Sequence, residues 1–225
     1  MKIAIFYHIG QMGMGAFIYQ QQIHRLYASG LMEAASHIHF GVNGNQELFN
    51  APLKAKVVYN SKEYWNTEKQ TLLDLKKFCE ENEDYKVLYF HTKGATKDEL
   101  CVQSWRLMME YFTIDKWKDC IEYLDEYTTV GIQMCRVGPS IYPDGTIKVE
   151  NPTIVYAGNF WWANASYINE LRTKYLDDNC RYAVEKWIGD SKLSNPKDLY
   201  THPEFDKNPM SYNYENYHSE REYIK

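Results

Sequence analysis

Several features that would assign the chain to a common class of protein are missing from its sequence. No run of about 18 apolar residues is present, so no segment can cross a membrane as a helix. The net charge of −5 offers no basic surface for nucleic acid. The five cysteines form no C-x-x-C pair, so neither a zinc site nor a disulfide framework is indicated. The N-terminus lacks a signal-peptide cleavage site, and we therefore expect a cytoplasmic protein without nucleic-acid partners.

The composition, by contrast, is that of a folded domain. Hydrophobic residues make up 44% of the 225 positions, which is enough for a sizeable core. The 20 tyrosines are unusual. A tyrosine ring has a flat apolar face and a polar edge, and such rings suit surfaces that contact sugars or bases. A general bias toward aromatic residues explains the tyrosines equally well.

Hydrophobic patterning in the N-terminal part of the chain alternates between strands and helices. The predicted strands are Lys2–Ile9, His37–Val42, Ala55–Tyr59 and Lys86–Phe90. The predicted helices are Ala16–Ala28 and one that begins at Asn66 or Thr67 and runs to Glu80. Strands that alternate with helices at this spacing predict a mainly parallel sheet with right-handed crossovers.

The rest of the chain is less regular. Its predicted helices are Lys97–Tyr111, Asp115–Leu124, Ala165–Tyr175 and Cys180–Ile188, and its predicted strands are Thr129–Cys135 and Ile154–Tyr156. Pro139 to Pro152 is predicted as a loop or hairpin. We expect a single α/β domain in which residues 1–95 form a nucleotide-binding half, residues 96–190 an acceptor and catalytic half, and residues 191–225 a tail wrapped on the domain.

A glycine-rich turn follows the first strand, with Gly10, Gly13 and Gly15 ahead of the first predicted helix. A strand, a glycine-rich turn and a helix N-terminus together can hold a phosphate. The spacing is neither that of a dinucleotide fingerprint nor that of a P-loop. Either the turn is merely flexible, or its backbone approaches a nucleotide with Tyr7 and His8 flanking the base or ribose.

The segment His91-Thr92-Lys93-Gly94 directly follows the buried strand Lys86–Phe90. Ligands of open α/β sheets bind outside the carboxyl ends of the strands. A histidine and a lysine at this place, next to a glycine, suit an anionic ligand such as a diphosphate. Solvated loop residues are the alternative interpretation.

Two further groups of residues could face a substrate. The segment Gly158-Asn159-Phe160-Trp161-Trp162 contains adjacent tryptophans, whose side chains point to different faces. One of them is predicted in the core and the other as a platform for a sugar ring. Asp178 and Glu185 are candidate carboxylate bases; a solvated helix face, with an ion pair between Arg181 and Glu185, is the alternative.

Taken in order, these segments resemble a group of small GT-A-type glycosyltransferases found in bacterial surface-polysaccharide clusters and in large DNA viruses. The resemblance spans roughly Lys2 to Ile188, and its most specific parts are the HTKG and GNFWWA segments. It implies a Rossmann-like, mainly parallel sheet flanked by helices. By the same resemblance, Gly158, Asn159, Trp161 and Trp162 line the acceptor and sugar pocket.

The resemblance also bears on metal use. GT-A enzymes usually place an Asp-x-Asp motif, which holds Mn²⁺ or Mg²⁺ on the donor diphosphate, where this chain has His91-Thr92-Lys93. We therefore expect no firm metal ligands; Lys93 and His91 contact the diphosphate directly, and any divalent cation is held weakly or through water.

The resulting hypothesis is a glycosyltransferase that moves a sugar from a nucleotide-diphosphate donor, such as a UDP-sugar, to a hydroxyl of a glycan or glycoprotein acceptor. Asp178 or Glu185 would supply the base. Two alternatives remain at the level of sequence: a carbohydrate-binding module without catalysis, and a nucleotide-binding oxidoreductase, which the glycine spacing does not favour.

Overall fold

A computed structural model describes residues 1–44, 51–62, 68–137, 153–176, 183–207, 209 and 211–224. The strands are β1 (Lys2–Gln11), β2 (His37–Gly44), β3 (Lys56–Ser61), β4 (Tyr85–His91), β5 (Thr129–Gly131), β6 (Met134–Val137), β7 (Thr153–Tyr156), β8 (Trp161–Asn164) and β9 (Pro196–Asp198). The helices are α1 (Gly15–Ala28), α2 (Leu31–Ala34), α3 (Lys69–Glu81), α4 (Leu100–Glu110), α5 (Trp117–Tyr123), α6 (Ala165–Asn169), α7 (Ala183–Lys186), α8 (Tyr212–Glu215) and α9 (Glu220–Tyr223). Within these ranges, no helix is both long enough and apolar enough to span a membrane.

Seven of the described strands form one sheet, in the order β3-β2-β1-β4-β8-β5-β9. All neighbouring pairs are parallel except the two that involve β8, which runs antiparallel to both β4 and β5. The strands β6 and β7 form a separate two-stranded ribbon. This arrangement confirms the predicted fold, a single α/β domain with a mainly parallel, Rossmann-like sheet flanked by helices. The boundary between the two predicted halves stays a prediction.

Apolar side chains of β1 point alternately to the two faces of the sheet, which explains why helices cover both faces. Ile3, Ile5 and Tyr7 join one hydrophobic core with side chains of α1, α4 and α5. Ala4 and Phe6 join a second core with side chains of α3, α6 and α7. A strand whose side chains are apolar on both faces needs such cover on each side.

The predicted strand Thr129–Cys135 is wrong as one element. The chain turns at Gln133, whose φ is +49°, and the two halves become β5 in the main sheet and β6 in the ribbon. The strand β8 was not predicted, because four residues are too few to show a period.

Other boundaries also differ from prediction. The helix predicted over Ala165–Tyr175 is shorter in the structure, where α6 ends at Asn169 and a 3₁₀ turn follows at Thr173–Tyr175. Of the helix predicted over Cys180–Ile188, the described residues form α7 and a 3₁₀ turn at Trp187–Gly189, and its first three residues lie outside the described residues. The segment beyond Ser191, expected to be an extended tail, contains β9, α8 and α9. The predicted helix cap at Asn66 or Thr67 and the loop from Pro139 to Pro152 lie outside the described residues.

The order of the strands fixes where a ligand site is expected. From β1 the chain proceeds to β2 and β3 on one side, and then returns to place β4 on the other side of β1. The carboxyl ends of β1 and β4 therefore flank the point at which the strand order reverses. Ligands of open α/β sheets bind in the crevice at this point.

Candidate functional site

Two histidines end the strands that flank the reversal of strand order. His8 of β1 and His91 of β4 are partners in the parallel register. Both follow, at the period of two, residues of the core that α3 covers, so both side chains lie on the α3 side of the sheet. His8 is 7% exposed, and its Nδ1 lies 2.9 Å from Thr71 Oγ1 on α3.

The carboxylate of Glu68 lies at the centre of this group, directly before α3. Its Oε2 accepts hydrogen bonds from Tyr89 Oη at 2.7 Å and from Asn159 Nδ2 at 2.6 Å. Its Oε1 is 3.6 Å from His91 Nδ1. The Glu68 side chain is 16% exposed, so it combines a low-dielectric setting with three polar partners.

The turn from Gly158 to Asn159 holds His91 from the other side. His91 Nε2 lies 2.9 Å from the carbonyl oxygen of Gly158, which can only accept, so Nε2 carries the proton in this contact. Asn159 has φ of +60°, and its Oδ1 accepts a hydrogen bond from Trp161 Nε1 at 2.8 Å. The turn therefore ties Glu68, His91 and β8 into one rigid unit.

Burial and charge act in opposite directions on the two central ionisable groups. Burial raises the pKa of Glu68, but the charges of His91 and His8, with the hydrogen bonds from Tyr89 and Asn159, bring that pKa below its usual value. Burial lowers the pKa of His8 to about 4, against a weaker opposing effect of Glu68. At neutral pH the site thus holds a carboxylate beside a neutral His8.

The two predicted phosphate-binding turns are packed against each other. Thr92 Oγ1 accepts the backbone N–H of Gly10 at 2.8 Å, and Met14 donates its N–H to the carbonyl of Ala95 at 2.8 Å. A Cβ added to Gly13, whose φ is +51°, would lie 2.3 Å from the oxygen of Ala95. Gly13 is therefore needed for the close approach of two backbone segments.

The side chain of Lys93 lies against aromatic rings of α4 and α8. Its ammonium lies 4.2 Å above the ring of Trp105 on α4 and 5.7 Å from the ring of Tyr214 on α8. Gly94, which follows it, has φ of +88°. The sequence predicted His91 and Lys93 as one cationic pair, whereas the structure gives the two side chains different partners. Gly158 lies between the partners of these two side chains. Its carbonyl oxygen contacts His91, and a Cβ added to it would lie 3.0 Å from Cζ2 of Trp105, whose ring contacts Lys93.

Three of the predicted ligand-binding side chains are enclosed in the core, and those predictions are corrected. Tyr7 is 0% exposed and donates its hydroxyl hydrogen to Gln22, so it does not flank a base. Trp161 and Trp162 are also 0% exposed. Because β8 is an interior strand with both faces covered, opposite side chains are buried together, and neither ring forms a sugar platform.

The two candidate bases are placed differently by the structure. Asp178 lies outside the described residues. Glu185 belongs to α7, on the same side of the sheet as Glu68. Burial raises the pKa of Tyr89 well above its ordinary value, and the charges of Glu68 and Glu185 add to that effect, so Glu185 lies within electrostatic reach of Tyr89.

Sequence patterns missed Glu68 and Trp105. An acidic residue just before a helix is favoured by the helix dipole and is common on protein surfaces, so Glu68 gave no specific signal. Trp105 lies on the buried face of α4 and was indistinguishable from an ordinary core residue.

A separate cleft of about 450 Å³ lies between α1 and α4, lined by residues that include Phe17, His24, Leu107 and Glu110. It belongs to the opposite side of the sheet from His8, Glu68 and His91. Over the ranges that the structure describes, no three His, Cys, Asp or Glu side chains come together as metal ligands.

The chain belongs to the family described as a domain of unknown function, DUF8361, whose model matches residues 18–176. No curated protein matches it. Two similar solved structures are the bifunctional IspDF from Campylobacter jejuni (10% identity, TM-score 0.44, 90% of this chain and 50% of that one) and a 4-diphosphocytidyl-2C-methyl-D-erythritol synthase (14% identity, TM-score 0.39, 92% of this chain and 96% of that one). The chain thus spans half the length of the bifunctional protein. Both likenesses are too weak to assign an activity.

The pKa of His8 predicts how stability depends on pH. The unfolded chain takes up a proton on His8 between its ordinary pKa of 6.5 and the folded value of about 4. The free energy of unfolding therefore falls as the pH is lowered through this range. His8→Gln should make that fall smaller by about 2 kcal/mol between pH 7 and pH 4.5, measured by urea unfolding. The control is His24→Gln, because His24 is exposed. If the free energy of unfolding depends on pH equally in the wild type and both variants, the pKa of His8 is not lowered by folding.

Because the two turns pack closely, alanine at two of the glycines should lower the free energy of unfolding by different amounts. Gly30 has φ of +75° with nothing within 4 Å of an added Cβ, so Gly30→Ala should cost only backbone strain, about 1 to 2 kcal/mol. Gly13→Ala adds the clash with Ala95 and should cost about 3 kcal/mol or more. Denaturant unfolding measures both, and similar costs would show that the two turns are not tightly packed.

Proposed function

We propose that the chain is a glycosyltransferase that moves a sugar from a nucleotide-diphosphate donor, with a UDP-sugar as the expected donor, to a hydroxyl of a glycan or glycoprotein acceptor. The observation that carries the proposal is the register pair of His8 and His91 at the reversal of strand order. Polar side chains lie there, where α/β sheets bind nucleotides, and Lys93 follows two residues after His91.

Lys93 supplies the positive charge for the diphosphate. The rings of Trp105 and Tyr214 attract the ammonium through their π faces, which fixes its place. In sugar transfer, negative charge develops on the leaving diphosphate. A fixed cation next to that group stabilises the transition state more than the ground state.

His91 acts as a positioning residue in this proposal, together with Thr92 and Gly94. Its ring contacts the carbonyl of Gly158 on one side and faces Glu68 on the other. These contacts hold the end of β4 in place, so the short turn that carries Lys93 leaves the sheet in one direction. Thr92 fixes the same turn to Gly10.

A divalent cation has no suitable ligand set among the described residues of this site. Mg²⁺ and Mn²⁺ prefer several oxygen ligands. Glu68 is the carboxylate at the centre, and its oxygens already face Tyr89, Asn159 and His91. The proposed chemistry therefore relies on Lys93 for charge and involves no metal-dependent step.

The acceptor hydroxyl needs a base within hydrogen-bond reach. Glu185 and Asp178 are the proposed candidates. Glu185 is supported by its place on α7, on the face of the sheet that carries Glu68. A carbohydrate-binding module is less well supported than an enzyme, because the aromatic wall it would use is formed by Trp161 and Trp162, which are both buried.

Binding of UDP-sugars to Lys93→Met tests the proposed donor site. Loss of a charge-assisted hydrogen bond should weaken UDP and UDP-sugar binding about tenfold or more, measured by calorimetry. The control is Lys118→Met, since Lys118 is exposed and also lies beside a tryptophan ring, 5.7 Å from that of Trp117. Unchanged binding in Lys93→Met would remove Lys93 from the site. The same titration in EDTA should give the same affinity, and complete loss on chelation would contradict a metal-independent site.

Release of UDP from a UDP-sugar tests the activity itself. Wild-type protein should release UDP slowly with water as acceptor. Glu185→Gln or Asp178→Asn should lower that rate about 100-fold, because one general base is removed. The variants should keep their affinity for UDP. Normal rates in both variants would exclude this assignment of the base, and no release by the wild type with any UDP-sugar would argue against the enzyme.

A further inference from the structure

Gln133 is a buried amide that the fold leaves without a hydrogen-bond partner. The residue is 0% exposed. Neither its Nε2 nor its Oε1 has a partner within the part of the chain that the structure describes. Buried amides are normally paired, because desolvation without a replacement hydrogen bond is unfavourable.

The backbone of Gln133 has a strained conformation, and both of its polar groups are hydrogen-bonded. The unpaired side-chain amide is therefore not needed to hold the residue in place. Its φ is +49°. Its N–H donates to the carbonyl of Tyr200 at 2.7 Å, and its own carbonyl accepts the N–H of Ala157 at 3.2 Å. Backbone groups alone therefore hold the residue in place, and the amide contributes nothing to that position.

Asn159 provides the comparison. It is the other non-glycine residue with positive φ among those the structure describes, at +60°, and it is 1% exposed. Both of its amide atoms are used, one by Glu68 and one by Trp161. The protein satisfies the side-chain amide of Asn159 but not that of Gln133. Strained backbone conformations are often found at ligand sites.

The sheet register places Gln133 at the level of the site. Trp161 of β8 is paired with Tyr89 of β4 on one side and with Gly131 of β5 on the other. Gln133 lies two residues beyond Gly131, and His91 lies two residues beyond Tyr89. Gln133 therefore follows the carboxyl end of β5 as His91 ends β4, and both ends lie at the same edge of the sheet. Ala157, which bonds the Gln133 backbone, directly precedes the Gly158 that contacts His91.

We infer that the amide of Gln133 hydrogen-bonds hydroxyl groups of the transferred sugar. This inference rests on the proposed function. An amide offers donors and an acceptor, and a sugar hydroxyl can match either. If the diphosphate lies between β1 and β4, the nucleoside extends toward β2 and the sugar extends past β8 toward β5 and Gln133. Because the Gln133 side chain is fully enclosed, this contact requires its surroundings to open when the ligand binds.

Gln133→Met tests this role, because methionine keeps the length of the side chain and the backbone strain while removing the amide. We expect unchanged affinity for UDP and about tenfold weaker affinity for a UDP-sugar, measured by calorimetry over a panel of UDP-sugars. We also expect an equal or higher melting temperature, because an unpaired buried amide has been removed. The control is Gln103→Met, whose amide is already bonded to Asp98 on the surface and should leave all three values unchanged.

The remaining outcomes overturn the inference in distinguishable ways. A lower melting temperature of Gln133→Met would give the amide a structural role. An equal loss for UDP and UDP-sugars would make it a nucleotide contact, and unchanged affinity for both would remove it from the site. If the wild type binds UDP-sugars no more tightly than UDP, the sugar makes no contact of the proposed kind. If the wild type binds neither, the proposed function itself fails.

Discussion

The parallel pairing of β1 with β4 is the constraint on which the rest of the site depends. It places His8 beside His91 and brings the two connecting turns together at one edge of the sheet. It also sets the position of β8, whose antiparallel pairing with β4 carries the Asn159 turn to the same edge. A shift of this register by one residue would put His8 and His91 on opposite faces of the sheet.

Close backbone packing and buried charge make this edge rigid. Gly13 lets the first turn approach the second at a distance that no side chain permits. Glu68 then binds Tyr89 and Asn159, which belong to different segments of the chain. Such a network is stable only when every member has its partner, so it defines one arrangement of the edge. Lys93 leaves this rigid edge toward α4, where its ammonium lies over the ring of Trp105.

The fold could be predicted from sequence largely because its signals are local. The alternation along Lys2–Ile9 and the long apolar stripes of the helices specify a parallel α/β sheet without knowledge of distant contacts. The site depends on contacts between distant residues. Glu68 belongs to the site because it hydrogen-bonds Asn159, which lies 91 positions away in the sequence. The burial of Trp161 and Trp162 follows from the insertion of β8 between two other strands, and no four-residue pattern reveals that insertion.

A crystal structure of the chain with a UDP-sugar tests the central claim most directly. The account predicts the diphosphate at the carboxyl ends of β1 and β4, within hydrogen-bond distance of Lys93 Nζ, and the sugar on the β5 side. Binding of the diphosphate in the cleft between α1 and α4, beside Phe17 and His24, would contradict it.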